Sequence, residues 1–318
     1  MDAIRTEALT KHYSVGFWRP KPYLALEGLS ISVQQGEVFG FLGPNGAGKT
    51  TTLKLLMQLI YPTSGTAEIL GLPVGSVDVK RRIGYLPENP YFYDHLTAEE
   101  LLQHFASLFG YHAAERRQRA TRLLDEVGIG AERRLQLRKF SKGMLQRVGI
   151  AQALLNDPEV VFFDEPMSGL DPLGRREVRQ LILRLRDRGC TVFFSSHVLA
   201  DAETLCSRVA IVAKGRLVAQ GPLAEILHFK VHGWELVMSH VPAGVIECAL
   251  KDGRVTKAVP LGADRYALDL PLDAAPERLT AEFTAAGAQL VSLNPLRETL
   301  EDFFVRQVAA ARTDRGLE

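Results

Sequence analysis

A glycine-rich segment at residues 43–50 constrains the fold of this chain more than any other feature. Its sequence, GPNGAGKT, fits the pattern G-x-x-x-x-G-K-[ST] and directly follows the apolar residues 38–42. A loop of this kind works between a strand and a helix, because the loop N–H groups and the helix N-terminus then face the same phosphate. The sequence therefore predicts a strand at 38–42 and a helix that begins near residues 48–50. The apolar face of this helix is predicted to carry Leu53, Leu56, Met57 and Ile60.

The chemistry of the same segment points to nucleoside triphosphate binding. Lys49 is expected to reach the β- and γ-phosphates, and the Thr50 hydroxyl to ligate Mg²⁺. The loop alone identifies only a P-loop NTPase, since kinases, GTPases, helicases and transport ATPases share it. A chance glycine-rich turn is the competing interpretation, and the strand–loop–helix context disfavours it. The predicted nucleotide contacts are Gly43, Pro44, Asn45, Gly46, Ala47, Gly48, Lys49, Thr50 and Thr51.

Two adjacent carboxylates follow the apolar residues 160–163, which predict a buried strand. Asp164 at the strand end would hold Mg²⁺, directly or through water. Glu165 points to the other side of the chain and could address an attacking water, so general base is its natural role. His197 follows the next apolar strand, at the edge where ligand groups of open α/β sheets collect. The alternatives are carboxylates that only cap a turn and a structural histidine.

The pattern beyond residue 160 alternates strands and helices, which indicates a mostly parallel sheet covered on both sides. The predicted strands are 160–163, 191–195 and 209–213, and the predicted helices are about 173–188 and 198–206. Further upstream, Thr97 and Glu100 form a capping box before another helix. The arginine-rich residues 115–122 predict a solvated helix face with acidic residues nearby and a C-cap at Gly128. Residues 17–22 predict an exposed loop.

A second, smaller domain is predicted from residue 223 onward, where the composition shifts after Gly221 and Pro222. A chain of 318 residues with 46% hydrophobic content fits one large domain plus a smaller one. Residues 233–294 follow the order strand, helix, strand, strand, helix, strand of a split βαβ, ferredoxin-like unit. The predicted strands are 234–238, 255–259, 266–270 and 289–293, and a final amphipathic helix is predicted at about 296–309.

Composition and charge exclude several classes of protein. The formal net charge of +1 disfavours a general nucleic-acid binder, and no nucleic-acid partner is expected. Three scattered cysteines show neither metal spacing nor a disulfide framework, which favours a reducing compartment. No apolar run approaches the roughly 18–20 residues of a membrane span. We therefore expect a chain that is soluble by itself and reaches a membrane only through a partner.

Taken together, these motifs resemble the nucleotide-binding subunit of ATP-binding cassette (ABC) transporters. Residues 43–50 match the Walker A loop, 140–144 the signature loop, and 160–165 the Walker B strand with its catalytic glutamate. Residues 168–171 match the D-loop, His197 the switch histidine, and Tyr13 the aromatic residue that stacks on adenine. The resemblance covers residues 1 to about 220. It implies an α/β fold with an ABC-type ATPase domain at 1–222, and the order of strands and helices beyond it predicts a small α+β ferredoxin-like domain at 223–318. The ATPase domain would combine a mostly parallel core sheet, an antiparallel β subdomain and a helical subdomain at about 89–158.

The resemblance also implies a mechanism. Two such subunits, as a homodimer or heterodimer, pair head to tail and sandwich two ATP molecules with Mg²⁺. Ser141 and Gly143, with the D-loop residue Asp171, then face the nucleotide held by Lys49 of the other subunit. Glu165, His197 and Lys49 are the implied catalytic residues, and Thr50, Asp164 and Glu88 the implied metal ligands. The partner would be a multispan permease, which places the chain on the cytoplasmic face of the cell membrane.

The sequence departs from the family pattern at two places. The signature loop, usually Leu-Ser-Gly-Gly-Gln, has Phe140, Lys142 and Met144 in place of Leu, the first Gly and Gln. Glu88 stands where the family usually has glutamine. Lys142 is expected to point to solvent, with added charge near the phosphates as the alternative. Both departures resemble exporter-type ABC ATPases, and residues 300–304 resemble the end of the accessory domain that such exporters often carry. Tyr13 has Phe17 and Trp18 as rivals for the adenine platform, with Tyr23 nearby.

Two other functions stay open on the sequence alone. One is a soluble ABC ATPase of DNA repair or translation, although such chains tend to carry paired cassettes, a coiled coil or zinc-binding cysteines. The other is a nucleotide-gated regulator that binds ATP without turnover, which the presence of Glu165 and His197 disfavours. The leading interpretation is an ATPase subunit that powers a separate membrane permease, in the export direction.

Overall fold

The computed structural model describes residues 1–16, 21–226, 231–262 and 264–297. The chain forms two compact units, Met1–Ile226 and Leu227–Glu318, so the boundary lies four residues beyond the predicted one. The short helix at Leu223–Ile226 explains the difference, because the Leu223 N–H donates to the Ser207 carbonyl and joins this helix to the first unit. Phe17, Trp18 and residues 300–304 lie outside the described residues.

The elements of the first unit follow one another in chain order. The strands are β1 (Asp2–Val15), β2 (Lys21–Leu29), β3 (Ser32–Gln34), β4 (Val38–Leu42), β5 (Ser64–Ile69), β6 (Leu72–Pro73), β7 (Ile83–Leu86), β8 (Val160–Asp164), β9 (Thr191–Ser196), β10 (Arg208–Ala213) and β11 (Arg216–Pro222). The helices are α1 (Lys49–Leu56), α2 (Val77–Arg81), α3 (Ala98–Leu108), α4 (Ala113–Glu126), α5 (Lys142–Ala153), α6 (Pro172–Asp187), α7 (Leu199–Leu205) and α8 (Leu223–Ile226), with a short 3₁₀ turn at Leu137–Lys139.

The central sheet is mostly parallel, as predicted, with strand order β11-β10-β4-β9-β8-β7 and an antiparallel edge at β11. Strands β4, β8 and β9 are buried along their whole length, which is typical of parallel strands covered on both faces. The ring of Phe193 packs against Phe39, Phe41 and Phe162, at centroid distances of 5.4–5.7 Å. The parallel register pairs Leu42 with Ser196 and Asp164 with Ser195, so the residues that follow β4, β8 and β9 meet at one edge of the sheet.

A second sheet of the first unit is antiparallel, with order β2-β1-β5-β6 and β3 paired to β1. The hairpin of β1 and β2 places Tyr13 directly opposite Tyr23. The exposed loop predicted at 17–22 is wrong at its end, because Lys21 and Pro22 already pair with β1 as part of β2. Pro22 is tolerated there since strand edges and ends do not require its missing N–H.

The helical part of the first unit comprises α3, α4 and α5. The capping box at Thr97 is confirmed: its hydroxyl accepts from the Glu100 N–H, and the Glu100 carboxylate accepts from the Thr97 N–H. The arginine face of α4 is accompanied by acidic side chains as predicted, since Arg119 contacts Glu115 and Asp157. Helix α4 ends at Glu126 with Val127 as its C-cap, so the predicted C-cap at Gly128 is one residue late.

Helix α1 begins where the glycine pattern predicts, but it is shorter than its apolar spacing suggests. It ends at Leu56, because Gln58 adopts a φ of 52° that a helix does not allow. Met57 is therefore the C-cap, and Ile60 lies beyond the helix. Both side chains still pack against the buried core that contains Leu53 and Leu56.

The second unit contains β12 (Val231–Ser239), α9 (Ala243–Lys251), β13 (Lys257–Pro260), β14 (Arg265–Pro271), α10 (Pro276–Ala285) and β15 (Gln289–Arg297). The sheet is antiparallel with order β13-β14-β12-β15, around a core that includes Phe283 and Leu268. The strand predicted at 255–259 begins later, because the Val255 N–H donates to the Ala249 carbonyl and closes the turn after α9. The final helix predicted from 296 does not begin there, since β15 stays paired with β12 through Arg297.

The helices of the described residues are amphipathic or short. None of them is long and apolar enough to cross a membrane.

Candidate active site

The glycine-rich segment leaves the sheet at the carboxyl ends of the parallel strands β4, β8 and β9. The Gly43 N–H donates to the Ser196 carbonyl at 3.2 Å, which ties the start of the loop to the end of β9. A Cβ at Gly43 would lie 2.3 Å from the Val212 carbonyl oxygen, so the close approach requires glycine. Gly48 caps α1 with φ of 105°, in the left-handed region that favours glycine. These two glycines turn the loop so that the N-terminus of α1 faces the cleft.

Lys49 lies beneath this loop with 6% of its side chain exposed. Its Nζ donates to the Gly43 carbonyl at 2.6 Å and to the Pro44 carbonyl at 3.3 Å. The same Nζ lies 3.1 Å from Glu165 Oε1, where it forms an ion pair without the geometry of a hydrogen bond. The ammonium group is thus held at the base of the loop by two carbonyls and one carboxylate, which are the contacts that phosphate oxygens would replace.

Asp164 is almost fully buried at the end of β8. Its Oδ1 accepts from the Ser195 hydroxyl at 2.6 Å, while its Oδ2 is buried without a hydrogen-bond partner. Burial raises the pKa of Asp164, and hydrogen bonds from Ser195 and Thr50 partly oppose that rise. The Thr50 hydroxyl acts on the same carboxyl group, and an unpaired buried carboxylate oxygen suits a hard cation. In the described part of the chain, no three His, Cys, Asp or Glu residues are arranged so that they could hold a metal ion, so a metal here would depend on few protein ligands.

Glu165 turns away from Asp164 because its own backbone is left-handed, with φ of 50°. This conformation is rare for a non-glycine residue and costs about 1–3 kcal/mol. It directs one carboxylate oxygen to Lys49 and the other to His197, whose Nδ1 lies 2.8 Å from Glu165 Oε2. The carboxylate is 8% exposed while the His197 side chain is 43% exposed, so the cluster runs from the buried lysine outward.

Tyr13, Lys49 and most of the predicted phosphate-loop contacts meet in one cleft of about 290 Å³. Thr50, Thr51 and the loop residues form one end, and two tyrosines form the other. Gly43 and Ala47 support the loop from beneath, since Ala47 is 2% exposed. Glu88 is exposed at the same cleft, at the position predicted for a metal ligand. The lining residues are Tyr13, Tyr23, Ala25, Pro44, Asn45, Gly46, Gly48, Lys49, Thr50, Thr51, Glu88 and Glu165.

Tyr23 and Ala25 line this cleft although the sequence analysis does not predict either as a site residue. The sequence places Tyr23 near Tyr13, but it favours Tyr13, Phe17 or Trp18 as the adenine platform. The signal available in the sequence was the alternation of the two strands, which places residues of one face opposite each other. Because a one-residue change in register would move Tyr23 to the other face, the pairing had to be seen in the structure.

Ser141, Gly143 and Asp171 do not line this cleft; they line a second one of about 380 Å³. Ser141 is the N-cap of α5 and accepts from the Met144 N–H at 3.3 Å, while Asp171 is the N-cap of α6 and accepts from the Gly174 N–H at 2.8 Å. Lys142 is exposed, but it does not simply point to solvent: its Nζ would lie 2.7 Å from a Cβ at Gly169. The glycine of the 168–171 loop therefore leaves room for Lys142 beside two helix N-termini.

The geometry of the first cleft suits phosphoryl transfer to water. Loop N–H groups, the N-terminus of α1 and Lys49 can bind a triphosphate. Glu165 lies between Lys49 and His197. From there it can accept a proton from a water held beside a terminal phosphate that Lys49 binds. The carboxyl group of Asp164 and the hydroxyl of Thr50 interact with each other at the same site.

Comparison with known proteins agrees with this geometry. The sequence model of the family described as "ABC transporter" matches residues 26–168. An uncharacterized ABC transporter ATP-binding protein of Synechocystis sp. is 47% identical over 309 residues, which cover 96% of this chain and 85% of that protein. The bacitracin transport ATP-binding protein BcrA of Bacillus licheniformis is 43% identical over 222 residues, which cover 69% of each chain. The fluoroquinolones export ATP-binding protein of Mycobacterium tuberculosis is 41% identical over 220 residues, covering 69% of this chain and 70% of that protein.

Solved structures give the same result for the larger part of the chain. A dimeric ATP-binding cassette in a post-hydrolysis state, bound to ADP and Pi, matches with a TM-score of 0.64 and 27% identity. That match covers 69% of this chain and 98% of the solved chain. An ATP-binding subunit of an ABC transporter matches with a TM-score of 0.61 and 32% identity, over 71% of this chain and 92% of that one.

Proposed function

The chain belongs to the family of ABC transporter ATP-binding proteins, and we propose that it energises export of a substrate through a separate membrane permease. It binds ATP and is an ATPase. One relative supports the export direction, because it is named for fluoroquinolones export. Another is named for bacitracin transport, which supports a transport role. Glu88 and Lys142, where this sequence departs from the usual family pattern, also favour the exporter type of ABC ATPase.

The buried chain of contacts from Lys49 through Glu165 to His197 is the observation that carries this function. Lys49 would bind the β- and γ-phosphates after giving up Glu165, and the released carboxylate would then accept a proton from the attacking water. His197 would orient that carboxylate and contact the γ-phosphate. Lys49 lies within 3.1 Å of Glu165 and His197 within 2.8 Å of it, so these three side chains can rearrange locally when ATP enters the cleft.

Mg²⁺ fits the residues present at the end of β8. The unpaired Oδ2 of Asp164 and the hydroxyl of Thr50 would hold it, with Glu88 as a third group at the cleft. Mg²⁺ keeps several waters and is usually bound by one or two carboxylates plus substrate phosphates, which suits so small a set of ligands. When bound, the ion would neutralise charge on the β- and γ-phosphates.

The second cleft supports a dimer as the active form. Ser141, Gly143 and Asp171 lie at the N-termini of α5 and α6, where anions are favoured, yet they line a cleft apart from the one that contains Lys49. In a head-to-tail pair they would close over the nucleotide of the partner subunit. A relative solved as a dimer with ADP and Pi supports this arrangement. The pair would sit on a permease at the cytoplasmic face of the membrane, with no nucleic-acid partner.

The second unit is proposed to be a ferredoxin-like accessory domain. Its strand order β13-β14-β12-β15, with one helix after β12 and another after β14, is the arrangement expected of a split βαβ unit.

Replacement of Lys49 by alanine tests the nucleotide site. We expect Lys49→Ala to weaken ATP binding by roughly 10- to 100-fold, because charge-assisted hydrogen bonds contribute about 1.5–3 kcal/mol. Isothermal titration calorimetry on the full chain measures the affinity. Lys54→Ala is the matched control, since Lys54 lies on the same helix and is exposed. Unchanged affinity in Lys49→Ala would contradict the assignment of the loop.

Co-purification tests the transport role. A multispan membrane protein recovered with the tagged chain from solubilised membranes is the expected result. Recovery with DNA-repair or translation proteins instead would favour the soluble ATPase. Nucleotide binding without steady-state phosphate release would favour a nucleotide-gated regulator.

A further inference from the structure

Tyr23 lies directly opposite Tyr13 on the two strands that border the nucleotide cleft. Opposite residues of an antiparallel pair project from the same face of the sheet, with Cβ atoms about 4.5–5.5 Å apart. Both tyrosines line the cleft together with Pro44, Asn45 and Gly46 of the phosphate loop. The cleft therefore has a phosphate end at the loop and an aromatic end formed by two side chains.

The two tyrosines differ in how they are held. Lys11 lies over the Tyr13 ring, with Nζ 5.3 Å from the ring centroid, and the same Nζ donates to the Tyr61 carbonyl at 2.7 Å. One face of Tyr13 is thus next to a cation, which leaves the opposite face for a ligand. Tyr23 is 53% exposed, and its side chain forms no hydrogen bond or ring contact with another residue in the described part of the chain.

We propose that Tyr23 is a base-binding residue that forms, with Tyr13, a two-ring wall for the purine of ATP. This inference rests on the proposed nucleotide site and deepens it. A planar purine is the ligand chemistry that fits, because aromatic rings stack on bases through their π faces and bury apolar area that is otherwise exposed. Tyr23 is well placed for this role, since the small side chain of Ala25 also lines the cleft and leaves room beside the two rings.

The base contact can be separated from the phosphate contact by comparing two ligands. ATP reaches both ends of the cleft, whereas inorganic tripolyphosphate reaches only the end that contains Lys49. In Tyr23→Ala we expect the Kd for Mg-ATP to rise about five- to tenfold, while the Kd for tripolyphosphate changes by less than about twofold. Titration calorimetry on the full chain, with both ligands and the same Mg²⁺ concentration, measures both constants.

Three further variants make the result decisive. Tyr23→Phe keeps the ring and should bind ATP within about twofold of the parent. Tyr23→Leu keeps apolar bulk without a π face and replaces the alanine variant if that variant has a lowered melting temperature. Tyr91→Ala is the matched control, because Tyr91 is 96% exposed and does not line the cleft.

Two results would overturn the inference. An unchanged ATP affinity in both Tyr23→Ala and Tyr23→Leu would show that the ring does not touch the base. An equal loss for ATP and tripolyphosphate would show that the substitution acts through the phosphate end. Either result leaves the proposed function intact provided that Lys49→Ala still loses both ligands; if it keeps both, the nucleotide site itself is wrong.

Discussion

Replacing Glu165 by glutamine keeps the shape of the side chain but removes the charge and the basicity that its proposed role requires. Glutamine has the same shape as glutamate but lacks the charge that pairs with Lys49 and the basicity that would accept a proton from water. In the nucleotide-free protein Glu165 Oε1 lies 3.1 Å from Lys49 Nζ, and both side chains are less than a tenth exposed. ATP must displace this carboxylate before its phosphates reach the lysine.

The two consequences of Glu165→Gln have different sizes and signs. Loss of a general base lowers the rate of hydrolysis by about 10²- to 10⁴-fold. At 3.1 Å, and with an effective dielectric constant of about 20, the pair has a gross attraction of about 5 kcal/mol. Most of that attraction offsets desolvation, so only a small part opposes ATP. We therefore expect ATP to bind as tightly as in the parent or up to about tenfold more tightly.

Three measurements on the full chain check these expectations. Steady-state phosphate release with Mg-ATP gives the rate, titration calorimetry gives the affinity, and light scattering after gel filtration with ATP gives the mass. The variant should be found as an ATP-bound dimer with little turnover. Glu159→Gln is the matched control, because Glu159 precedes the same strand but is half-exposed and pairs with Arg82.

Either of two outcomes would refute the proposed role of Glu165. Hydrolysis at the parent rate in Glu165→Gln would show that Glu165 is not the base. Weaker ATP binding, with turnover lost, would show that the carboxylate supports the nucleotide site rather than competing for Lys49.

The remaining predictions concern the metal ligands. Glu88→Gln should keep Mg-ATPase activity within a few-fold, since Glu88 is exposed and a side-chain amide oxygen can also ligate the ion; a large loss in a Mg²⁺ titration would show a more specific role. Asp164→Asn should raise the stability of the nucleotide-free protein at pH 7 by about 1–2 kcal/mol, because it removes a buried charge. Burial raises the pKa of Asp164 above 3.8, so the parent loses stability as the pH rises through that raised pKa. The difference in unfolding free energy between Asp164→Asn and the parent should therefore shrink as the pH falls towards 3.8. Thermal unfolding of both proteins at pH 7 and near pH 4 measures it; a variant less stable than the parent at pH 7 would contradict the reasoning.

The local motifs of the site could be predicted from the sequence because their signals lie within a few residues. The turn before α1 needs glycine at Gly43 and Gly48, and that need is visible as spacing alone. The apolar residues 160–163 identify β8, so Asp164 and Glu165 could be placed at its end. Element ends were less predictable: α1 stops at Leu56 and β15 continues through Arg297, since a local backbone conformation and long-range pairing decide them.

The contacts between distant segments could not be predicted in the same way. The ion pair of Glu165 with Lys49 depends on a left-handed backbone at Glu165, which the residue type does not suggest. The position of Lys142 depends on the room that Gly169 leaves for it. Both depend on how loops that are distant in the sequence pack against each other in the folded protein.

The sequence by itself therefore determined the family, the phosphate loop and the candidate catalytic groups, because each is encoded in short spacings of glycine, apolar and acidic residues. Only the tertiary structure decided that Ser141 and Asp171 line a different cleft from Lys49, and that Tyr23 lies opposite Tyr13 in the cleft that contains Lys49. Strand register and the packing of helices on the sheet set these relations, and a single-residue change in register would reverse the face on which Tyr23 lies.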